Sequence, residues 1–148
     1  MNKIDKQILK LLQDNAKIAN SDIAKSVGLV PSAILERVRK LEKTGIIQGY
    51  ETRVAAKKLG IGMTSFVWVD SNEKIGTLEV GKQLGQFVEV QEVHYMTGEM
   101  YYLLKVRVKD TDEHADLVEK IGAIAGVIGV RTVLVLKTLK ETLTVKIK

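Results

Sequence analysis

Between Pro31 and Lys43 the chain reads PSAILERVRKLEK, and the types and spacing of its polar residues suit the chemistry of nucleic acids. On a helix, Ile34, Val38 and Leu41 recur at i, i+4 and i+7 and face a core. Ser32, Glu36, Arg39 and Lys43 then fall on the opposite side, Ala33 and Lys40 flank it, and Arg37 lies nearer the edge. Arg39, Lys40 and Lys43 are the candidates for neutralising phosphate, with Arg37 either a flanking contact or a partner in an intramolecular ion pair. Ser32, Ala33 and Glu36 are the candidates for meeting base edges: Glu can accept from cytosine N4, and Ala can touch a thymine methyl. For Glu36 an i, i+4 pair with Lys40 on a solvated surface stands beside that role on equal terms.

The elements needed to hold such a helix precede it. Ile23, Ala24 and Val27 line one side of a short helix, for which Asn20 or Ser21 can serve as N-cap. Gly28 suits a helix C-cap with positive φ, and Pro31 suits a first helical position. Upstream, Ile4, Ile8, Leu11 and Leu12 predict a first helix over 4–14, with a turn at 16–19, completing a three-helix core. Two helices joined by a tight turn, the second basic outside and apolar inside, have the layout of a helix-turn-helix whose second helix enters the major groove. A solvated amphipathic helix would share the pattern of the second helix alone. Turn chemistry, preceding helix and charge together favour DNA. Gly45 stops the helix, and 46–54 reads as extended, in the manner of a wing.

The charge supports this placement. Of 148 residues, 45% are apolar and 28% charged, a globular composition with net charge +5. Residues 1–58 hold twelve Lys/Arg against six Asp/Glu, and 59–148 hold eleven against twelve, so the positive excess accompanies the candidate helix-turn-helix. Cysteine is absent, which excludes disulfides, zinc fingers and thiol catalysis. No run approaches the ~20 apolar residues of a membrane span, and the charged opening MNKIDKQILK is unlike a signal peptide. A cytoplasmic location is the default expectation. His94 and His114 lack metal-ligand spacing, and no nucleophile–base set, phosphate-binding glycine loop or paired-carboxylate motif stands out. Neither a cofactor nor a metal is expected, nor an enzyme.

The second half predicts strands over 63–70, 88–96, 101–109 and 128–136 and helices over 73–85 and from Asp110 or Thr111 to Gly126. A final extended tail runs over 138–147. In the third strand Tyr102, Leu104, Val106 and Val108 alternate with Leu103, Lys105, Arg107 and Lys109, the period of a sheet with one covered face. Strand-helix-strand-strand-helix-strand is the order of a ferredoxin-like α+β sandwich, with both helices on one face of an antiparallel sheet. The other face needs cover, which a second subunit would supply most simply. The expected division is a helix-turn-helix domain over 1–50, a linker over 51–61 and a ferredoxin-like domain over 62–148.

Ile4-Asp5-Lys6-Gln7-Ile8-Leu9, Asp22-Ile23-Ala24, Val27-Gly28-Leu29, Pro31-Ser32, Arg37 to Glu42, Gly45-Ile46-Ile47 and Gly49-Tyr50 occur here in order. Leu59-Gly60, Thr97-Gly98, Tyr102-Leu103-Leu104, Gly126-Val127 and Arg131-Thr132 follow. With these residues the chain resembles, over almost its whole length, the leucine-responsive and asparagine regulator (Lrp/AsnC, feast/famine) family. The resemblance implies a transcriptional regulator that binds double-stranded DNA as a homodimer through the helix-turn-helix. It further implies dimers joined through the C-terminal sheets, assembly often into octamers, and small effectors, usually amino acids, bound between dimers near the Thr-Gly turn.

On this basis Thr97, Gly98, Glu99, Tyr102 and Thr132 are the effector-binding candidates. A plain hairpin turn with a solvated Glu99 is an equally good account of that stretch. Two departures bear on function. Val30 stands where the family often has a serine before the proline, which removes one cap or phosphate contact. Members that bind amino acids tend to read Gly-Asp and then Asp-Tyr, whereas this chain has Gly98-Glu99 and Tyr101-Tyr102, losing an acidic partner for an ammonium group. An effector-independent architectural DNA binder and, further off, a tetrapyrrole-processing enzyme related to the family are the competing functions.

Overall fold

A computed structural model describes residues 1–98 and 101–148. The chain divides into two compact units, one of Met1–Arg53 with Lys140–Lys148 and the other of Val54–Leu139.

In the first unit, α1 (Lys3–Asp14), α2 (Asn20–Val27) and α3 (Pro31–Lys43) enclose a core of Ile8, Leu9, Ile23, Ala24, Ile34, Val38 and Leu41. Fully burying a Val, Leu or Ile side chain of this core contributes about 1.5–3 kcal/mol. Asn2 caps α1 by accepting from the Asp5 N–H at 2.8 Å. The N-cap of α2 is Ala19, ahead of both expected caps: no side chain bonds there, and Asn20 and Ser21 are already helical. Gly28 ends α2 at φ 71°, and Pro31 opens α3 from Val30. Gly45, also at positive φ, follows the C-cap Thr44. The expected extended segment after it forms no strand. Instead Tyr50 turns back to donate from its hydroxyl to Glu42 Oε1 at 2.9 Å.

The second unit is a four-stranded antiparallel sheet in the order β2-β3-β1-β4, built from β1 (Met63–Ser71), β2 (Val90–Tyr95), β3 (Tyr102–Val108) and β4 (Val127–Leu134). Partners across the ladders share a face, so register assigns sides. Val67 and Val69 of β1 join Tyr102, Leu104, Val106 and Val108 of β3 against α4 (Glu79–Leu84) and α5 (Thr111–Gly122). The reverse face carries Phe66, Trp68, Leu103, Lys105, Arg131 and Val133. This is the ferredoxin-like order the spacing predicts. Asp110 caps α5 by accepting from the Glu113 N–H at 3.0 Å.

Three further features depart from expectation, the first being that α5 stops at Gly122, short of the expected end at Gly126. The helix predicted over 73–85 begins only at Glu79, because Gly76 (φ 86°) and Leu78 (φ 59°) turn the chain left-handed before it. Segment 140–148, expected within the second domain, groups with the helix-turn-helix instead. Ile147 packs against the three-helix core there, and Val145 shares two hydrogen bonds with the Gln13 amide.

Candidate functional site

Burial along α3 sorts its residues as helical spacing requires. Ile34, Val38 and Leu41 are buried, Ser32, Glu36, Arg39, Lys40 and Lys43 are exposed, and Ala33 is half-buried. Arg37 is turned inward. Its Nη1 donates to Asp5 Oδ1 at 2.8 Å, tying α3 to α1, so the intramolecular half of its two expected roles is present. Among the described residues Glu36 makes no ion pair with Lys40, and Arg39, Lys40 and Lys43 have no acidic partner. Glu42 is held apart by the Tyr50 hydroxyl, whose pKa is raised by burial and then by that bond.

The start of α3 is electrostatically open. Val30 supplies no side-chain cap, and Pro31 has no N–H to offer. The Ala33 and Ile34 amides bond back to the Val30 carbonyl, leaving the Ser32 amide at the positive end of the helix dipole. Such an end accepts an anion without rearrangement.

In the second unit the effector candidates are dispersed. Thr97 and Gly98 are exposed at the turn between β2 and β3, Gly98 at φ 121°, with the Met96 amide donating to the Tyr101 carbonyl at 2.7 Å to close the hairpin. Glu99 lies outside the described residues. Tyr102 is 1% exposed, on the helix-covered face, and its hydroxyl donates to Glu73 Oε1. Burial, and then that bond to a carboxylate, push its pKa up to about 12. Glu73 Oε2 accepts from the Val80 amide at 3.1 Å, so one carboxylate joins β3 to the start of α4. Thr132 is exposed on β4 opposite Val67, two strands from β3, or roughly 10 Å across the sheet. Within one chain Thr97 and Gly98 are therefore neighbours, Tyr102 is buried on the helix-covered face beside Tyr95, and Thr132 stands apart.

Sequence reasoning did not single out Glu73, because a carboxylate seven residues ahead of Val80 fits no local capping pattern. The cross-strand neighbours Glu92 and Lys105 bond at 3.2 Å, a pair recoverable only once register is known. A hydrogen bond from His94, and Lys105 beside it, hold Glu92 below the usual carboxylate range. His114 Nε2 lies 2.8 Å from the buried Ser65 hydroxyl. No cluster of three or more metal-ligating side chains occurs among the described residues, and no helix among them is long and apolar enough to cross a membrane.

Comparison with known proteins bears on both units. Residues 1–48 match the family described as winged helix-turn-helix DNA-binding, and 64–145 match the Lrp/AsnC ligand binding domain. The chain is 38% identical to the HTH-type transcriptional regulator FL11 of Pyrococcus horikoshii, over the whole of this chain and 97% of that one. It is 36% identical to the leucine-responsive regulatory protein of Escherichia coli K12, over all of this chain and 92% of that one. A transcriptional regulator of Neisseria meningitidis, solved as a complex with L-methionine, superposes with a TM-score of 0.90 at 27% identity, covering 99% of this chain and 96% of that one. Escherichia coli AsnC gives 0.84 at 29% identity, covering 95% of each chain. These relatives are regulators and not enzymes, and the chain belongs to the Lrp/AsnC family of DNA-binding transcriptional regulators.

Proposed function

We propose that this regulator reads DNA with the exposed side of α3, under the control of an amino acid bound near the β2–β3 turn. The observation that carries the DNA half is the exposed column Ser32, Glu36, Arg39 and Lys43, set opposite buried Ile34, Val38 and Leu41 on a helix that opens without a side-chain cap. Arg39, Lys40 and Lys43 take phosphates, while Ser32, Ala33 and Glu36 meet base edges in the major groove. Arg37 positions the helix through Asp5 and contributes to the flank of the field.

The effector half rests on the matched ligand-binding domain and on the neighbour solved with L-methionine. Thr97, Gly98 and Glu99 are the contact candidates, Tyr102 supports the turn from below, and Thr132 would contribute from another copy, since it stands apart within one chain. The sheet face with Phe66, Trp68, Leu103 and Val133 is the surface for a homodimer, and dimers assemble further, to an octamer. Such a regulator works in the cytoplasm, where the DNA is.

Salt titration of binding to short duplexes tests the assignment of α3. Arg39→Ala and Lys43→Ala each weaken binding to every sequence and lower the slope of log K against log salt by about 0.9 per lost contact. Glu36→Ala instead changes which sequences are recovered from a randomised pool. Unchanged slopes for both cationic variants would exclude α3 as the DNA-reading helix. Thermal unfolding against the twenty amino acids tests the effector: a ligand at ~100 times its Kd stabilises by about 2.7 kcal/mol. No shift across that panel would favour an effector-independent regulator, which Tyr101 in place of an acidic residue also favours.

A further inference from the structure

Segment Lys140–Lys148 follows the end of the sheet unit in sequence but packs within the DNA-binding unit. Its docking is specific. Gln13, on α1, presents its amide edge-on to Val145: Nε2 donates to the Val145 carbonyl at 3.2 Å, and Oε1 accepts from the Val145 N–H at 2.8 Å. A side-chain amide used this way reproduces the paired bonds of a strand ladder. Ile147, half-buried, packs against the three-helix core, and Glu141 lies 3.8 Å from Arg53. The segment thus runs from the end of the stretch following α3 to the last turn of α1.

What it brings is charge. Lys140, Lys146 and Lys148 accompany the single acid Glu141, whose neighbour is Arg53. With the segment included, the unit holds thirteen Lys/Arg against seven Asp/Glu, while Val54–Leu139 holds ten against eleven. Lys146 and Lys148 are exposed on either side of Ile147, and neither has an acidic partner among the described residues. A lysine on a docked backbone gives up less freedom on meeting phosphate than one on a loose tail.

We propose that Lys140–Lys148 is a second DNA-contacting element, held on α1 by the Gln13 amide and Ile147, with Lys146 and Lys148 taking backbone phosphates of the duplex that α3 engages. These contacts position without reading sequence, so they strengthen binding to all DNA equally.

The test is fluorescence anisotropy of the full-length chain on a short random-sequence duplex across a range of salt. Lys146→Ala/Lys148→Ala lowers the salt slope by about 1.8 per bound chain, at about 0.9 per phosphate contact, and leaves the thermal midpoint where it was. Gln13→Ala, which keeps every lysine, lowers the slope in the same direction by releasing the segment. A wild-type slope in the double lysine variant would overturn the proposal, leaving the segment a strap for α1. A lowered slope there with a wild-type slope in Gln13→Ala would overturn the docked geometry. Arg39→Ala/Lys43→Ala, run alongside, reports on α3 separately, so a failure of either element is recognised as its own.

Discussion

Gly81→Ala sets two effects of known size against each other. Gly81 is inside α4, where alanine is favoured over glycine by about 0.8–1 kcal/mol. A Cβ there would meet Tyr102 Cε1 at 2.6 Å, Cζ at 3.2 Å and Oη at 3.3 Å. Carbon atoms in ordinary contact sit about 3.5–4.0 Å apart, so the ring has to retreat by roughly 1 Å. Tyr102 is poorly able to do so: it is 1% exposed, its hydroxyl is bonded to Glu73, and Tyr95 packs on it with ring centroids 5.5 Å apart. Forcing an added carbon into a packed core costs about 1–3 kcal/mol, which exceeds the propensity gain, especially in so short a helix. With the cost in the upper part of that range, as an approach of 2.6 Å to a held ring implies, the expected net loss is ~1–2 kcal/mol. In a unit of this size each kcal/mol moves the melting midpoint by about 4–8 °C, well within reach of calorimetry. Gly122→Ala is the control. It ends α5 in open space and should be neutral or stabilising by up to about 1 kcal/mol. Combining Gly81→Ala with Tyr102→Leu, which removes the opposing ring atoms, should cost less than the two changes summed. A Gly81→Ala variant melting at or above the parent would refute the reasoning, since propensity alone would then have decided the sign.

Two further outcomes follow from named contacts. Arg37→Ala should destabilise the helix-turn-helix by about 1 kcal/mol, because its bond to Asp5 is charge-assisted and only partly exposed, and a double-mutant cycle with Asp5→Asn should recover that coupling. Arg39→Ala, with no such partner, should leave the melting midpoint unchanged. The Tyr102 hydroxyl, pushed up to about 12 from 10, holds its proton more tightly folded than unfolded. Its contribution is complete below pH 10 and lost as pH rises through about 12, so the sheet unit, followed by circular dichroism, should lose stability between about pH 10 and 12, and Tyr102→Phe, which has no proton to lose there, should lack that step.

The helix-turn-helix was legible because its signals are local and mutually consistent. Ile34, Val38 and Leu41 mark the buried stripe, Gly28 supplies a φ few other residues adopt, and Pro31 needs no N–H where it stands. Alternation in β3 likewise identifies Tyr102 as sharing a face with Leu104, Val106 and Val108, and that face is the covered one. The shortened α4 was not legible, because Leu78 takes a left-handed conformation that its side chain disfavours and that only its surroundings impose. Nor was the docking of 140–148, where the partners Gln13 and Val145 are 132 residues apart. The Arg37–Asp5 bond was half legible: helical geometry put Arg37 at the edge of the stripe, and only the crossing of α1 could say which acid it meets.

The size of the base-reading set bears on how many copies must bind. With Ser32, Ala33 and Glu36 as the proposed base contacts of one α3, a good bidentate pairing contributes about 1–3 kcal/mol of discrimination. Ala33 can supply only a methyl contact and Ser32 a hydroxyl that bonds equally well to several bases, so one copy discriminates at the low end of roughly 3–9 kcal/mol. Specific regulators bind their sites about 4–10 kcal/mol more tightly than other DNA. The phosphate contacts proposed for Arg39, Lys40 and Lys43 would not close that gap, since they strengthen both kinds of binding alike. Two copies do, because each adds its own base contacts while the phosphate term cancels in the comparison. The proposed dimer through the Phe66, Trp68, Leu103 and Val133 face is therefore as necessary to specificity as the chemistry of α3, and it requires recognised half-sites one helical turn, about 10 base pairs, or a multiple of it apart.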